Sequence, residues 1–294
     1  MDFDPSTLFG PRWGWLTVWV ICFVVSCLLA ALLGVAGVHP WSDVTADRVN
    51  GYHHEQCETV SKSGFFLQFY NFWSNYAYLA AGLLILWLSD SLIGKAIGVV
   101  FIFLAFTSGW FHGTLTETGQ TFDIVGVYCA LTVLIAYAFI ELIPLEQDGP
   151  WAWIVFAIAV VIGLFAGIFK PDGLAPISFK IFDSSIFTPL LVGVLGIYMF
   201  LVIWRRNFRF QNPVLWPIMG FLIAGGLALI FKFTDGNGLL TSQCIYTPGG
   251  PIQGHSLWHL LSAVMFVCFF EYIRSVNGRS RSVWPWRISD DSSS

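Results

Sequence analysis

Long apolar runs alternate with short polar segments along the whole chain of 294 residues. A helix needs about 20 mainly apolar residues to cross a bilayer. Hydrocarbon offers no hydrogen-bond partners, so the crossing segments of an open chain are expected to be helical. The connections between the runs are short, polar or rich in Gly and Pro. The pattern therefore predicts eight membrane-spanning helices, at 15–38, 69–88, 92–111, 122–143, 151–169, 186–204, 214–231 and 256–273.

The first apolar run has an alternative interpretation as a cleaved signal peptide, because 34–37 loosely resembles a cleavage region. The apolar core of a signal peptide has about 7–15 residues, and the run 15–38 is longer than that. We therefore expect this run to be an uncleaved membrane helix.

The composition agrees with a membrane protein and argues against a nucleic-acid partner. Hydrophobic residues make up 56% of the chain and charged residues 11%, whereas a soluble domain has about 25% charged residues. The few charges cluster between the apolar runs, and the sequence has no basic patch or nucleic-acid motif. Most of the protein surface is thus expected to face lipid.

The distribution of Lys and Arg predicts the orientation in the membrane. With the N-terminus inside, the outer segments contain five basic residues and the inner segments nine, which favours cytoplasmic positions for both termini. The outer residues are Arg48, Lys62, Lys170, Lys180 and Lys232, and the inner ones are Arg12, Lys95, Arg205, Arg206, Arg209, Arg274, Arg279, Arg281 and Arg287.

Three histidines are predicted to lie at one membrane level, near the outer ends of their helices. His255 and His259 are four residues apart on the last apolar run, so they share one helical face, and His112 follows the third run at the same depth. Three histidine nitrogens and a water form the open arrangement of a catalytic zinc site. Histidines that merely face water or lipid headgroups are the alternative.

Two further polar residues are expected at this level. Ser108 lies one turn before His112, and Asp123 begins the next predicted helix. An aspartate at a helix start can simply stabilise the N-terminus. The convergence of a serine, an aspartate and three histidines favours a chemical site.

These residues resemble the signature of the alkaline ceramidases, which belong to a superfamily of seven-helix membrane hydrolases that includes the adiponectin receptors. The resemblance rests on Ser108 and His112, on Asp123, and on the run 254–259 (GHSLWH). The stretch from Cys57–Glu58 to 69–75 (FYNFWSN) is also similar to the family. The resemblance covers 55–273 and therefore implies an all-α fold. An N-terminal helix and outer loop (1–50) would precede a catalytic seven-helix bundle (51–275) and a disordered cytoplasmic tail (276–294).

The resemblance implies a role for each matching residue. His112, His255 and His259 would bind zinc, with Ser108 and Asp123 acting on the water or on the substrate carbonyl. Trp258 would line the substrate pocket. The implied activity is hydrolysis of ceramide, or of a similar lipid amide, that reaches the site from the bilayer.

Calcium is a further implied ligand, although the match is incomplete. Glu55 and Glu58 align with acidic residues that bind calcium in the family, but Gln68 replaces a glutamate and Val60 an asparagine. Calcium prefers six to eight oxygen ligands, so the site is either weakened or lost. Solvated loop acids are the alternative interpretation of Glu55 and Glu58. A family glutamate after the aspartate is also replaced, by Ile124, which leaves the substrate preference open.

The residues and the family resemblance leave two possible functions from different classes. One is a zinc-dependent lipid amidase, and the other is a metal-containing receptor or lipid-binding protein. Structural zinc sites usually have four protein ligands, so an open three-histidine site favours the enzyme. A transporter is a weaker third option, because paired broken helices are not evident. No obligate protein partner is evident either.

The resemblance implies a disulfide between Cys57 and Cys244, both in predicted outer loops, where an oxidising compartment preserves such bonds. Free thiols are the alternative. The remaining cysteines lie within apolar runs and are expected to act as small apolar residues. They are Cys22, Cys27, Cys129 and Cys268.

We expect non-reducing peptide mapping to find the Cys57 and Cys244 peptides linked, and reduction to separate them. Alkylation of the unreduced, denatured protein should label Cys129 but neither loop cysteine. Labelling of both loop cysteines would contradict the disulfide.

Overall fold

The computed structural model describes residues 14–36, 57–61, 65–143, 145–146, 148–171, 173–205, 212–235, 250 and 252–276. These residues are predominantly helical and include no β-strand. The α-helices are α1 (Gly14–Val35), α2 (Phe69–Ser74), α3 (Tyr76–Leu88), α4 (Leu92–Thr114), α5 (Glu117–Leu142), α6 (Pro150–Ile168), α7 (Ser184–Arg205), α8 (Asn212–Phe233) and α9 (Gly254–Val276). A short 3-10 turn, Lys180–Phe182, precedes α7.

Within the described ranges, seven helices are long and apolar enough to cross a membrane. They are all the α-helices except α2 and α3. This confirms the prediction of an all-helical, multi-pass membrane protein. The assignment of the two membrane faces, the domain limits and the processing of the N-terminus stay predictions.

The apolar run 69–88 forms two helices, not the single predicted helix. The helix breaks at Asn75 because polar side chains bond there to a backbone carbonyl of the preceding turn. The Asn71 carbonyl accepts hydrogen bonds from Ser74 Oγ and Asn75 Nδ2, both at 2.8 Å. The Asn75 backbone N–H instead bonds to the Phe72 carbonyl at 3.2 Å. Short polar side chains that bind nearby carbonyls compete with helical hydrogen bonds in this way. The break makes α2 a separate six-residue element beside the bundle.

A tight turn connects α4 to α5 and sets the depth of Asp123. Leu115 has a φ of 47°, a left-handed conformation that is uncommon outside glycine, and its side chain is buried. Thr116 then caps α5 by accepting the Gly119 N–H at 3.0 Å. The helix consequently starts at Glu117, before the predicted start at 122, and Asp123 lies in its second turn.

The bundle closes around α9. This helix packs against α8 and α3, and also contacts α2 and α5, while α4, α5 and α6 pack on one another in chain order. α1 lies outside the bundle against α3, where the Trp19 indole N–H donates to the Tyr76 carbonyl at 2.7 Å. The arrangement brings the ends of α4 and α8 to the same end of the bundle as the starts of α5 and α9.

Small residues allow α6 to approach α5 closely. A Cβ atom added to Gly163 would stand 2.7 Å from the Cα and N atoms of Cys129. Gly167, one turn later, faces the backbone of Val125 at a similarly short distance. Because the opposing atoms belong to the backbone, neither contact can be relieved by rotating a side chain.

We expect Gly163→Ala to destabilise the protein by about 1–3 kcal/mol through overpacking, as measured by thermal unfolding in detergent. Gly193→Ala in α7 is the matched control, because a Cβ atom there meets no atom within 4 Å. That control should be neutral or slightly stabilising, since alanine favours helices. Equal stability of the two variants would contradict the close contact.

Candidate metal centre

Three histidines meet at the end of the bundle. His112 lies in the last turn of α4, and His255 and His259 lie one turn apart at the start of α9. All three side chains are buried, with exposed fractions of 0%, 6% and 3% in that order. The structure therefore confirms that these residues come together, and it argues against histidines that simply face water.

The ring nitrogens form a compact donor set. One nitrogen from each of the three rings lies within 4.8 Å of the others, and the ring centroids are 4.6–5.1 Å apart. A zinc–nitrogen bond measures about 2.0–2.1 Å, so small side-chain shifts would bring all three nitrogens to one ion. The arrangement could hold a metal ion that prefers imidazole ligands.

His112 provides an independent sign that the site fits a metal. Its Nε2 atom is buried and has no hydrogen-bond partner within the part of the chain that the structure describes. An unsatisfied buried polar atom costs about 1–3 kcal/mol. A metal bound to this nitrogen would remove that cost.

Two residues that the sequence analysis did not connect to the histidines contact their other nitrogens. Gln68 Oε1 lies 2.6 Å from His112 Nδ1, and Ser74 Oγ lies 2.7 Å from His259 Nδ1. Sequence reasoning placed Gln68 at a possible calcium site and Ser74 only within a family motif. Their spacing to His112 and His259 along the chain carries no periodic signal, because separate elements bring these residues together.

Ser108 and Asp123 lie beside each other near the histidines. Ser108 is one turn before His112 and is buried, and its hydroxyl faces the Asp123 carboxyl without forming a hydrogen bond of regular geometry. Asp123 is also buried. Its position in the second turn of α5 shows that the simple helix-start interpretation was wrong. Lys170 and Lys232 lie close enough to add positive charge near this carboxyl.

Trp258 is buried on α9 and immediately precedes His259 in the sequence. Its role in a substrate pocket stays a prediction.

Glu58 is buried, with an exposed fraction of 2%, so its interpretation as a solvated loop acid was wrong. Its carboxyl oxygens accept the N–H groups of Tyr70 and Asn71 at 2.6 and 2.8 Å. Both N–H groups belong to the first turn of α2, where a helix offers its N–H groups no carbonyl of its own, and Glu58 therefore caps the helix from outside. Burial raises the pKa of Glu58 to about 7, against the lowering effect of the two N–H groups. Glu55 lies outside the described residues, and calcium binding stays a prediction.

Asp235 is a buried carboxylate that sequence reasoning missed. It accepts the Cys57 N–H at 3.3 Å and the backbone N–H of His255, and burial raises its pKa. It thereby links the segment before α2 to the start of α9. Its only sequence signal is an acidic residue just after an apolar run.

The cysteine predictions have different outcomes. Cys22, Cys27, Cys129 and Cys268 are free thiols within helices, as expected. Cys57 is buried beside Asp235, whereas Cys244 lies outside the described residues. The bond between Cys57 and Cys244 stays a prediction.

Comparison of the chain with models of known protein families found no match. A search of curated proteins found no match either.

We expect the purified protein to bind about one zinc ion per chain. A His255→Ala/His259→Ala double variant should lose it, because one remaining nitrogen is too few for the site. Elemental analysis of both proteins measures the stoichiometry, and folding is checked by size-exclusion chromatography in detergent. A variant with Cys22→Ala/Cys27→Ala is the control, since these thiols lie on α1, outside the bundle. Undiminished zinc in the histidine variant would contradict the assignment.

Proposed function

We propose that this protein is a zinc-dependent intramembrane amidase that hydrolyses a ceramide-like lipid to a sphingoid base and a fatty acid. The observation that carries the proposal is the grouping of three buried histidines with Ser108 and Asp123 at one end of a membrane helix bundle. The resemblance of these residues to the alkaline ceramidases supports the choice of substrate.

Hydrolysis adds water across the amide bond, so the water must lose a proton and the leaving nitrogen must gain one. In this proposal Asp123 accepts the proton and returns it to the nitrogen. Ser108 can donate a hydrogen bond to the carbonyl oxygen as negative charge develops on it. Zinc bound by the three histidines would act as a Lewis acid in this reaction.

The location of the site suits a lipid amide. The chemical groups lie at the ends of apolar helices, whose outward faces carry exposed aliphatic and aromatic side chains. An amide-linked lipid places its polar linkage just below the headgroup level and its chains in the hydrocarbon. We therefore infer that the substrate approaches the histidines from within the bilayer. We assign this end of the bundle to the non-cytoplasmic face, on the basis of the Lys and Arg distribution.

A metal-containing receptor or lipid-binding protein is the second candidate function. Within the described residues, the group that could hold a metal contains three ligands, not the four usual in structural zinc sites. A buried carboxyl beside this group is also a feature that catalysis uses and lipid binding does not require. These two observations favour the enzyme.

We expect Asp123→Asn to reduce ceramide hydrolysis by about two to four orders of magnitude, the usual contribution of a general base. The amide preserves the shape of the side chain but cannot accept the proton, so zinc should remain bound. Activity is measured in detergent micelles, and zinc content is measured on the same samples.

In the same assay, Ser108→Ala should cost about 3 kcal/mol, as for one lost oxyanion donor. Thr107→Val is its matched control, because that buried hydroxyl bonds to the Phe103 and Leu104 carbonyls of its own helix. The control should keep most of its activity. Full activity of Asp123→Asn would contradict the proposed base, and a zinc-loaded wild-type protein that cleaves no lipid amide would favour the receptor.

A further inference from the structure

The short helix α2 and the residue before it contact two of the three histidines at their Nδ1 atoms. Gln68 immediately precedes the helix and contacts His112, and Ser74 ends the helix and contacts His259. Gln68 is fully buried and Ser74 is 8% exposed. Both contacts are therefore shielded from water.

The hydrogen bonds at Ser74 determine which nitrogen of His259 carries the proton. A serine hydroxyl has one proton, and Ser74 donates it to the Asn71 carbonyl at 2.8 Å. The Ser74 oxygen must then accept a hydrogen bond from His259 Nδ1 at 2.7 Å. A neutral His259 with a protonated Nδ1 has its lone pair on Nε2, where a metal can bind.

The contact at His112 leads to the same tautomer. The Gln68 side-chain oxygen accepts hydrogen bonds and cannot donate them, so the 2.6 Å contact requires a proton on His112 Nδ1. The Asn71 side-chain amide also donates to this oxygen, at 3.4 Å. The lone pair of His112 is left on Nε2, the buried atom without a hydrogen-bond partner among the described residues.

Hydrogen bonds and ring packing tie α2 and the segment before it to the neighbouring elements. The N–H groups of Leu67 and Gln68 donate to the carbonyls of Gly113 and His112, at 3.2 and 3.0 Å. Glu58 caps the first turn of α2. The ring of Trp73 packs against Phe23 of α1, with centroids 5.3 Å apart.

We propose that Gln68 and Ser74 are positioning residues that hold His112 and His259 as Nδ1–H tautomers, so that both Nε2 atoms face one metal ion. The inference rests on the proposed metal site and adds the residues that organise it. Histidine ligands commonly donate their second N–H to an outer partner, and loss of such a partner typically weakens metal binding about 10- to 100-fold. Both partners here are neutral, an amide and a hydroxyl, and the contact with His112 assigns Gln68 to the histidine site.

The test measures zinc affinity by competition with a chromophoric chelator, using the full-length protein in detergent. Ser74→Ala and Gln68→Met remove one acceptor each and should weaken zinc binding about 10- to 100-fold. Ser74→Thr and Gln68→Glu keep an acceptor and should restore tight binding. Ser262→Ala is the matched control, because this buried serine bonds to the Tyr78 hydroxyl and to its own helix, not to a histidine ring. Its zinc affinity should equal that of the wild-type protein.

A second measurement needs no substitution. Nitrogen-15 NMR of histidine-labelled, metal-free protein should show His112 and His259 as Nδ1–H tautomers, with assignments made by single-histidine variants. Wild-type Nε2–H tautomers would overturn the inference, as would unchanged zinc affinity in folded Ser74→Ala and Gln68→Met. If Ser74→Ala does not fold, the zinc affinity of Gln68→Met and the histidine tautomers of the wild-type protein still test the inference. Absence of zinc binding in the wild-type protein would instead contradict the proposed function, and the NMR result would still test the positioning.

Discussion

The pairing of buried polar groups is the constraint on which the rest of this structure depends. Hydrocarbon supplies no hydrogen-bond partners, so a polar side chain within the bundle is stable only when the protein or a ligand pairs with it. Glu58 meets this requirement by capping α2. At the opposite end of the bundle, the buried Arg274 pairs with Glu271 at 3.0 Å. Burying three histidine rings together is costly under this constraint, and a metal ion bound to their nitrogens would offset that cost.

The same constraint explains why α2 exists as a separate element. A continuous helix through Asn75 would give the Asn71 carbonyl to a backbone N–H group. In this protein the Ser74 hydroxyl and the Asn75 side-chain amide donate hydrogen bonds to that carbonyl instead. This change of partner ends α2. Because the Ser74 hydroxyl proton is donated to the Asn71 carbonyl, the Ser74 oxygen can accept a hydrogen bond from His259 Nδ1. A local break in the helix and the orientation of a candidate metal ligand thus have one physical cause.

Among the described residues, the peripheral helix α1 packs against α3, and Phe23 of α1 contacts Trp73 of α2. Its exposed side chains suit contact with lipid, and its aromatic residues pack on Trp73 and Tyr76. α1 therefore supports α2 from outside, and within the described residues the three candidate ligands lie on α4 and α9.

The sequence by itself determined the features that depend on local spacing. Apolar length identified seven helices that can span a membrane, although it did not reveal the break in the run 69–88. The four-residue separation of His255 and His259 placed both on one face of α9. A helix has a regular period, so these relations do not need knowledge of the rest of the chain. His112, Ser108 and Asp123 followed because they occupy the ends of antiparallel helices at a common depth.

Only the tertiary structure decided which groups complete the site. The burial of Glu58, the contact of Gln68 with His112 and the bridge that Asp235 makes to α9 join elements distant in the chain. The polar first turn of α5 was also missed, because an apolar run does not reveal a helix that begins with a capping threonine. Hydrogen bonds between separate elements depend on packing geometry, and packing geometry leaves no periodic pattern in the sequence.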